Sequence, residues 1–488
     1  MSSLKDHEIP DQPILVMKFG GTSVGSIKAM QQVSQIVRDT LLQWPRLVVV
    51  VSALSSVTDL LLNSGRAASR GDSTFDHTAQ ELRRLHFEIA NALVTDLILC
   101  EQVKQNINHL VSDFINLCQA IVVLGEATPR ALDAVASLGE RMCIRLLAAI
   151  LESENISCRY VEATQLIVTD DHFQSAHPDI QATSQKTRQV LNPMLDKGLV
   201  PVVSGFIGAT PTGITTTLGR GGSDYSAAII GAVLPAKEVW IWTDVDGVMT
   251  TDPRLVADAH TIPELSYKEI GELAYFGAKV LHPKTIRPVI EAGIGLRVCN
   301  TFNPSHPGTR LVVESRTTMN GVVKAVTIIR GLQLITVEGR GMLGVPGVAA
   351  RTFGAVAATQ TSVPLISQAS SEQSICFTVP TESTHKVISA LESAFAQEIR
   401  NQDIDRIWAT DEVGIITVVG AGMKQTPGVA GRVFGALGAN RINVIAIAQG
   451  SSEVSISMVV AAADLQAGVR ALHELINQPQ AGTSVPSQ

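Results

Sequence analysis

Continuous apolar runs alternate with amphipathic stretches over residues 13–315. The runs are rich in Val, Ile and Leu, and they lie at Ile14–Phe19, Leu47–Ser52, Val200–Ser204 and Glu238–Thr243. Helical periodicity between them predicts helices at Ile27–Thr40, Leu138–Leu151 and Ser223–Val233, and a long helical sub-domain over one sheet edge at 55–135. Strands that are apolar on both faces are typical of a mainly parallel sheet covered by helices. This region therefore predicts a three-layer α/β/α domain.

The rest of the chain contains an internal repeat. Residues 335–379 align without gaps on 416–460, 81 positions later, and 24 of the 45 residues are identical. Each copy predicts the order β-α-β-β-α, one strand short of a ferredoxin-like βαββαβ unit. Arg406–Thr410 can supply the last strand of the first copy. We infer that Val322–Ile329 completes the second copy, so that one module (332–410) is inserted into the other (322–331 plus 411–478).

Composition and charge exclude several classes of protein. Of the 488 residues, 45% are apolar and 17% charged, which excludes a disordered chain. The net charge of −7 and the lack of a basic block make nucleic-acid and membrane partners unexpected. The six scattered cysteines and the polar N-terminus, without a targeting segment, lead us to expect reduced thiols in a cytoplasmic protein.

A glycine-rich turn directly follows the first predicted strand. It begins with Lys18, Phe19, Gly20 and Gly21 and precedes a helix. Adjacent glycines let backbone amides approach an anion, and the lysine adds a positive charge at the strand end. The arrangement predicts a phosphate-binding turn, and a purely structural turn is the alternative.

A second turn, residues 216–226, precedes an alanine-rich helix and carries Arg220, Ser223 and Asp224. The arginine offers two parallel donors to a carboxylate or a phosphate. For Ser223 and Asp224 alone, a purely structural role as the N-cap of the helix explains the pattern at least as well as a functional role.

Two later segments add charge. Residues 242–254 follow a strand and hold three carboxylates, several hydroxyls and Arg254. Open α/β sheets bind ligands at the carboxyl ends of strands, whereas the alternative is a polar turn. Lys279, in residues 276–283, offers a second lysine to a polyphosphate. Because the histidines are scattered, we expect no resident metal site and a metal ion that arrives with the nucleotide.

The order of these four motifs, followed by twin modules, closely resembles the aspartate kinases (aspartokinases) of the amino-acid kinase family, which carry C-terminal tandem ACT domains. The resemblance spans residues 13–478. It implies that ATP with Mg²⁺ phosphorylates the side-chain carboxylate of L-aspartate to 4-phospho-L-aspartate, which begins lysine, threonine and methionine synthesis. It also implies feedback regulation by an amino acid that binds the ACT domains.

The family's functional residues carry over by position. The resemblance implies nucleotide contacts at Lys18, Gly20, Gly21, Thr243, Asp244, Met249, Arg254 and Lys279. It implies an aspartate pocket lined by Ser52, Thr58, Glu140, Phe206, Arg220 and Ser223. The groups expected to act on the reacting atoms are Lys18, Arg220 and Asp224. Met249 departs from the tyrosine common in the family, so its thioether can supply only an apolar contact.

The repeats also predict an effector site. Gln368 and Gln449 occupy the same place in the two copies, in Q-x-S-S-E contexts that resemble threonine-sensitive aspartokinases. A glutamine amide suits a hydroxyl ligand better than an ammonium, so we favour threonine over lysine. The alternative is a paired turn residue.

Several other possibilities remain open at the level of sequence. A kinase of the same fold could act on glutamate, acetylglutamate or a nucleoside monophosphate, or the chain could be a catalytically inactive amino-acid sensor. The chain shows no further α/β pattern after the repeats, so we expect a monofunctional kinase. Exposed sheet edges in ferredoxin-like modules favour a homodimer or a higher homo-oligomer formed through the ACT domains.

Overall fold

The computed structural model describes residues 12–276, 281, 283–314, 322–368, 373–424, 426–450 and 452–477. They form two compact units. The first contains the described residues of Met1–Val248, Pro263–Tyr267 and Val280–Val313, and the second contains those of Met249–Ile262, Lys268–Lys279 and Glu314–Gln488. Two short segments after the strand at 238–243 thus group with the second unit, although the sequence predicts a single domain over the whole of 13–315.

The first unit is built on an eight-stranded sheet. Its order is β3-β4-β2-β1-β7-β9-β10-β8, and all neighbours are parallel except β9 and β10. The strands of this unit, including the separate β5-β6 hairpin, are β1 (Ile14–Phe19), β2 (Arg46–Val51), β3 (Cys158–Val161), β4 (Val200–Ser204), β5 (Ile207–Ala209), β6 (Thr215–Thr217), β7 (Glu238–Thr243), β8 (Glu264–Ser266), β9 (Gly295–Asn300) and β10 (Thr309–Val312). The central strands β1 and β2 are buried almost throughout, as a sheet covered on both faces requires.

Ten helices accompany these strands among the described residues. They are α1 (Gly21–Val24), α2 (Ile27–Leu41), α3 (Val57–Ala68), α4 (Phe75–Leu93), α5 (Leu97–Leu124), α6 (Pro129–Ser153), α7 (Ile180–Asp196), α8 (Gly222–Val233), α9 (Tyr267–Tyr275) and α10 (Pro283–Glu291). The predicted three-layer α/β/α architecture is confirmed.

Helices α3, α4 and α5 share a single hydrophobic core with the sheet. Leu61, Leu82 and Phe114 of these helices belong to the same buried cluster as Met17 and Val49 of the central strands. The helices predicted for 55–135 are present as α3, α4 and α5, and they pack against one another and against α6.

Helix α5 is, among the described residues, the one helix long and apolar enough to cross a membrane by length and composition. Its buried residues recur every three or four positions, for example Val103, Ile107, Leu110 and Phe114. This is the spacing of a helix with one face in a protein core.

The second unit contains the two modules of the repeat. Its six-stranded sheet has the order β12-β13-β11-β14-β16-β15. Its elements are β11 (Ala325–Glu338), α11 (Val348–Ala358), β12 (Ile366–Gln368), β13 (Ser374–Pro380), α12 (Thr384–Ala394), α13 (Ala396–Arg400), β14 (Arg406–Val419), α14 (Val429–Ala439), β15 (Ala446–Ala448), β16 (Ser455–Ala461) and α15 (Leu465–Asn477).

Two long strands join the modules. The sequence predicts one strand at 322–329 and another that begins the first copy of the repeat, but β11 runs through both, with a register shift between Ile329 and Leu332. The early half of β11 pairs with the late half of β14, and the late half of β11 pairs with the early half of β14. Each module therefore contains one half of β11 and one half of β14. An insertion of one module into the other requires this arrangement.

Candidate functional site

The end of β1 brings a lysine and a glycine-rich turn together. Lys18 is almost fully buried, and its Nζ lies 2.5 Å from Oδ1 of Asp224 at the start of α8. The backbone N–H of Gly20 donates to the carbonyl of Trp242 over 3.3 Å. A Cβ on Gly21 would lie 3.2 Å from the carbonyl oxygen of Ala53. The turn can therefore approach the neighbouring loop this closely because it lacks side chains.

A completely buried carboxylate lies on the inner face of α6. Glu140 accepts hydrogen bonds from the N–H of Phe206 at 2.8 and 3.0 Å and from the Ser223 hydroxyl at 3.0 Å. The Ser52 hydroxyl in turn donates to Ser223 over 3.1 Å. Burial raises the pKa of the Glu140 carboxyl to about 8, although these hydrogen bonds and the nearby charge of Lys18 act in the opposite direction.

A second buried carboxylate, Asp133, lies two turns before Glu140 on the same face of α6. Asp133 accepts from the N–H of Gln174 at 3.0 and 3.1 Å, from the N–H of Thr217 at 2.9 Å and from the Thr217 hydroxyl at 2.8 Å. Burial raises the pKa of Asp133, and its hydrogen bonds oppose that shift. The carboxylate thus fixes the end of β6, from which the turn carrying Arg220 begins.

These groups line one cavity of about 640 Å³. The predicted residues that it brings together are Lys18, Gly21, Ser52, Thr58, Glu140, Phe206, Arg220, Ser223 and Asp224. Arg220 is exposed and has no ion-pair partner within the described part of the chain. The cavity therefore combines a free guanidinium, a buried lysine and a buried carboxylate, which is a set suited to a zwitterionic amino acid beside an anion.

Among the described residues, the predicted nucleotide residues that follow β7 do not line this cavity. Thr243 and Asp244 are at the carboxyl end of β7, which pairs with β1, but they do not line the cavity. Met249 and Arg254 belong to the second unit. The guanidinium of Arg254 pairs with Asp252 at 2.7 Å. Lys279 lies outside the described residues.

The predicted effector residues lie in the second unit. Gln368 ends β12 and lines a separate cavity of about 420 Å³ with the turn that contains Gly344 and Gly347. Gln449 follows β15 and is exposed. The two glutamines thus occupy equivalent strand ends.

Metal ligands do not converge anywhere in the described ranges: no group of three or more His, Cys, Asp or Glu side chains there is arranged to hold an ion.

The residues that the sequence did not predict include Asp133 and Arg66 of the cavity and Gly205, which lies beside Glu140. Asp133 lies seven positions before Glu140, and this spacing on a helix was a usable signal for a shared face. Arg66 lines the cavity and follows Thr58 by eight positions on α3. Gly205 had no local signal, because only the folded chain places Ser223 Oγ 2.5 Å from where its Cβ would be.

Comparisons with known proteins agree with this architecture. The amino acid kinase family model matches residues 13–300, and an ACT domain model matches 335–395 and 416–475. The bifunctional aspartokinase/homoserine dehydrogenase 2 of Arabidopsis thaliana is 37% identical over 94% of this chain and 50% of its own length. Aspartokinase 3 of the same plant is 32% identical over 94% of this chain and 80% of its own length. The chain spans about half the length of the bifunctional relatives it matches.

Solved structures show the same likeness. Escherichia coli aspartokinase III in complex with aspartate and ADP (R-state) has a TM-score of 0.77 and 30% identity, covering 95% of this chain and 100% of that one. The same protein in complex with lysine and aspartate (T-state) has a TM-score of 0.77 and 31% identity over the same shares. The chain therefore belongs to the amino acid kinase family. Its ACT domains and its relatives assign it to the aspartokinases within that family, which confirms the resemblance found in the four motifs.

Proposed function

We propose that the protein transfers the γ-phosphoryl group of ATP to the side-chain carboxylate of L-aspartate, giving 4-phospho-L-aspartate and ADP. The observation that carries the proposal is the single cavity that joins Arg220, Glu140 and Lys18. The aspartate and ADP held by the E. coli structure support the choice of substrates. The product would enter lysine, threonine and methionine synthesis.

The amino-acid end of the substrate fits the charges of the cavity. Glu140 would accept hydrogen bonds from the α-ammonium group, because a cation paired with a buried carboxylate offsets part of its desolvation cost. Arg220 would bind the α-carboxylate through two donors. Ser52, Thr58, Phe206 and Ser223 would enclose the substrate.

The phosphoryl transfer itself needs positioning and charge neutralisation rather than covalent catalysis by the protein. Lys18 and the amides of Gly20 and Gly21 would stabilise the phosphates. A carboxylate is already a nucleophile, so no strong base is required. Asp224, which holds Lys18, would orient the lysine rather than remove a proton.

The remaining nucleotide contacts follow the family pattern. We assign Thr243, Asp244, Met249, Arg254 and Lys279 to the nucleotide. The lysine and the arginine of the described site fit a polyphosphate that binds together with Mg²⁺. The Mg²⁺ ion would offset the negative charge of the transferred group.

Regulation by an amino acid is proposed for the second unit. Gln368 and Gln449 would hydrogen-bond the effector, and the amides of the glycine-rich turns would meet its carboxylate. The amide side chains favour threonine. Lysine is the second candidate, because the T-state E. coli structure contains lysine. We further propose a cytoplasmic homodimer, or a higher homo-oligomer, formed through the ACT domains.

A panel of acceptors tests the proposed reaction. Purified protein with ATP and Mg²⁺ is given L-aspartate, L-glutamate, N-acetyl-L-glutamate, a nucleoside monophosphate or no acceptor, and ADP formation is measured. We expect turnover with L-aspartate alone. Turnover with glutamate but not aspartate would refute the substrate. No turnover with any acceptor, together with amino-acid binding, would instead identify a sensor.

A further inference from the structure

At one pair of equivalent positions, the two ACT modules carry side chains of opposite charge. Asp405 and Lys324 are 81 residues apart, which is the spacing of the repeat. The N–H of Asp405 donates to the carbonyl of Glu338 at 2.9 Å, and the N–H of Lys324 donates to that of Val419 at 2.8 Å. Since Glu338 and Val419 are equivalent in the repeat, Asp405 and Lys324 make the same backbone hydrogen bond in their two modules. The repeat therefore has an acid in one module where it has a base in the other.

In the first module the acid binds the module's own turn. Oδ2 of Asp405 accepts a hydrogen bond from the N–H of Arg340 at 3.3 Å. Arg340 begins the 3-10 turn that follows β11. The first module thus caps this turn with a carboxylate from its own strand.

In the second module the carboxylate comes from elsewhere in the chain. Ala421, the equivalent of Arg340, donates its N–H to Oε1 of Glu269 at 2.6 Å. Glu269 belongs to α9, and its carboxylate lies 3.2 Å from Nζ of Lys324. The side chains of Glu269 and Lys324 are 0% and 7% exposed. The exchange of acid for base therefore replaces a cap within the module by a buried ion pair with α9.

Two more contacts hold the same helix. Oε2 of Glu272 accepts from the Ser455 hydroxyl at 2.8 Å, and the Thr327 hydroxyl donates to the carbonyl of Phe276 at 2.7 Å. Helix α9 begins at Tyr267 in the first unit and continues in the second. It is therefore a covalent connection between the catalytic unit and the second ACT module.

We propose that Glu269 is a positioning residue that makes α9 move with the turn at Ala421, so that effector binding to the ACT modules is transmitted to catalysis through this helix. The buried ion pair makes the contact specific, because separating Glu269 from Lys324 would leave two uncompensated charges in a desolvated site. The regulatory half of this proposal rests on the proposed kinase activity, whereas the attachment of α9 can be tested without it.

The test uses a double variant that copies the first module. In Glu269→Gln/Lys324→Asp the new aspartate can cap Ala421 as Asp405 caps Arg340, and α9 loses its ion pair. The charge-reversed variant Glu269→Lys/Lys324→Glu is the matched control, because it keeps both the pair and an acceptor for Ala421. Hydrogen exchange of α9 and of residues 421–423 is measured, along with inhibition of aspartate-dependent ADP formation by threonine and by lysine.

We expect the double variant to keep protection at Ala421 while the α9 amides exchange at least ~10-fold faster. Basal turnover should stay within about twofold, effector binding by calorimetry within about threefold, and the half-inhibiting concentration should rise at least ~10-fold. The charge-reversed control should resemble the wild type. If the double variant does not fold, Glu269→Asp, which shortens the side chain by one carbon, replaces it and should show the same changes to a smaller extent.

Unchanged exchange of α9 would overturn the attachment. Faster exchange with unchanged inhibition, or a wild type that responds to neither amino acid, would overturn the transmission. Absence of aspartate-dependent turnover in the wild type would refute the proposed function and the transmission with it, and the exchange data would still decide the attachment.

Discussion

Nζ of Lys18 lies 2.5 Å from Oδ1 of Asp224, and the two side chains are only 10% and 15% exposed. This ion pair connects the glycine-rich turn after β1 with the start of α8, two segments more than 200 residues apart in the sequence. The lysine is thereby held at the cavity before any phosphate binds. A group fixed in advance loses little freedom when the substrate arrives, which is the condition for effective electrostatic stabilisation.

Replacing this lysine should therefore abolish most of the activity. We expect Lys18→Met to lower kcat by ~100-fold or more, as loss of one fixed electrostatic group does in other enzymes. Steady-state ADP formation measures the effect. The control is Lys28→Met, because Lys28 is exposed on α2 and does not line the cavity. Equal activity of Lys18→Met and the wild type would remove the lysine from the mechanism.

Glu140 should make aspartate binding depend on pH. Its pKa of about 8 means that the empty site is mostly protonated at pH 7. An incoming ammonium favours the carboxylate, so binding should release close to one proton, and the KM for aspartate should fall roughly 5–10-fold between pH 7 and 8.5. Calorimetry in buffers of different ionisation enthalpy measures the number of protons released on binding. Glu140→Gln should show neither effect, and a pH-independent KM in the wild type would contradict the assignment.

The same group affects stability with a definite sign. The folded pKa of Glu140, about 8, is above the ordinary value of 4.5, so the native state binds more protons than the unfolded state between these pH values. The free energy of unfolding of the ligand-free protein should fall as pH rises from 4.5 to 8. Denaturant titrations at several pH values should show that the free energy of unfolding depends less steeply on pH in Glu140→Gln than in the wild type. An equal dependence on pH in the two proteins would argue against burial as the cause of the raised pKa of Glu140.

Asp133 should act by holding the turn that carries Arg220. An asparagine in its place cannot accept all the donors of Gln174 and Thr217, so Asp133→Asn should cost about 1–3 kcal/mol of stability. We expect a higher KM for aspartate with a smaller change in kcat, because the residue does not touch the reacting atoms. Thr217→Val, which removes only the hydroxyl donor, should give the same pattern more weakly. A loss confined to kcat would contradict a positioning role.

Gly205 should tolerate no side chain. A Cβ there would lie 2.5 Å from Ser223 Oγ and 2.8 Å from Oε1 of Glu140. Gly205→Ala should therefore displace both groups, lowering the thermal midpoint and raising the KM for aspartate. The control is Gly354→Ala in α11, where a Cβ would meet nothing within 4 Å. This substitution should be neutral or should stabilise the protein by up to ~1 kcal/mol. Similar behaviour of the two variants would show that the cavity adapts.

Much of the fold followed from local patterns, because the strands of the parallel sheet are continuously apolar and end at glycine-rich turns. Two of the four motifs also predicted part of the cavity, since Lys18 and Arg220 lie in turns with a recognisable composition. What the sequence could not show depends on distant partners. Asp133 binds residues 41 and 84 positions away. Similarly, the N–H of Val326 donates to the carbonyl of Thr250, which groups a segment near the predicted nucleotide residues with the second unit.

The effector glutamines give a separate prediction. Removing one hydrogen bond from the effector should cost ~1 kcal/mol, or about fivefold in affinity, with catalysis little changed. Titration of threonine and of lysine against the wild type, Gln368→Ala and Gln449→Ala measures this. A wild type that is inhibited by lysine but not by threonine would show that the assignment of threonine as the effector is wrong. Unshifted inhibition curves in both variants would show that the effector does not bind at these glutamines.

The identity of the product decides whether this cavity phosphorylates the side-chain carboxylate of aspartate. Hydroxylamine traps an acyl phosphate as a hydroxamate, and fragmentation in the mass spectrometer distinguishes the side-chain isomer from the α isomer. We expect aspartate β-hydroxamate in amounts equal to the ADP formed by the wild type, and almost none with Lys18→Met. ADP without hydroxamate, the α isomer, or equal yields from both proteins would contradict this activity.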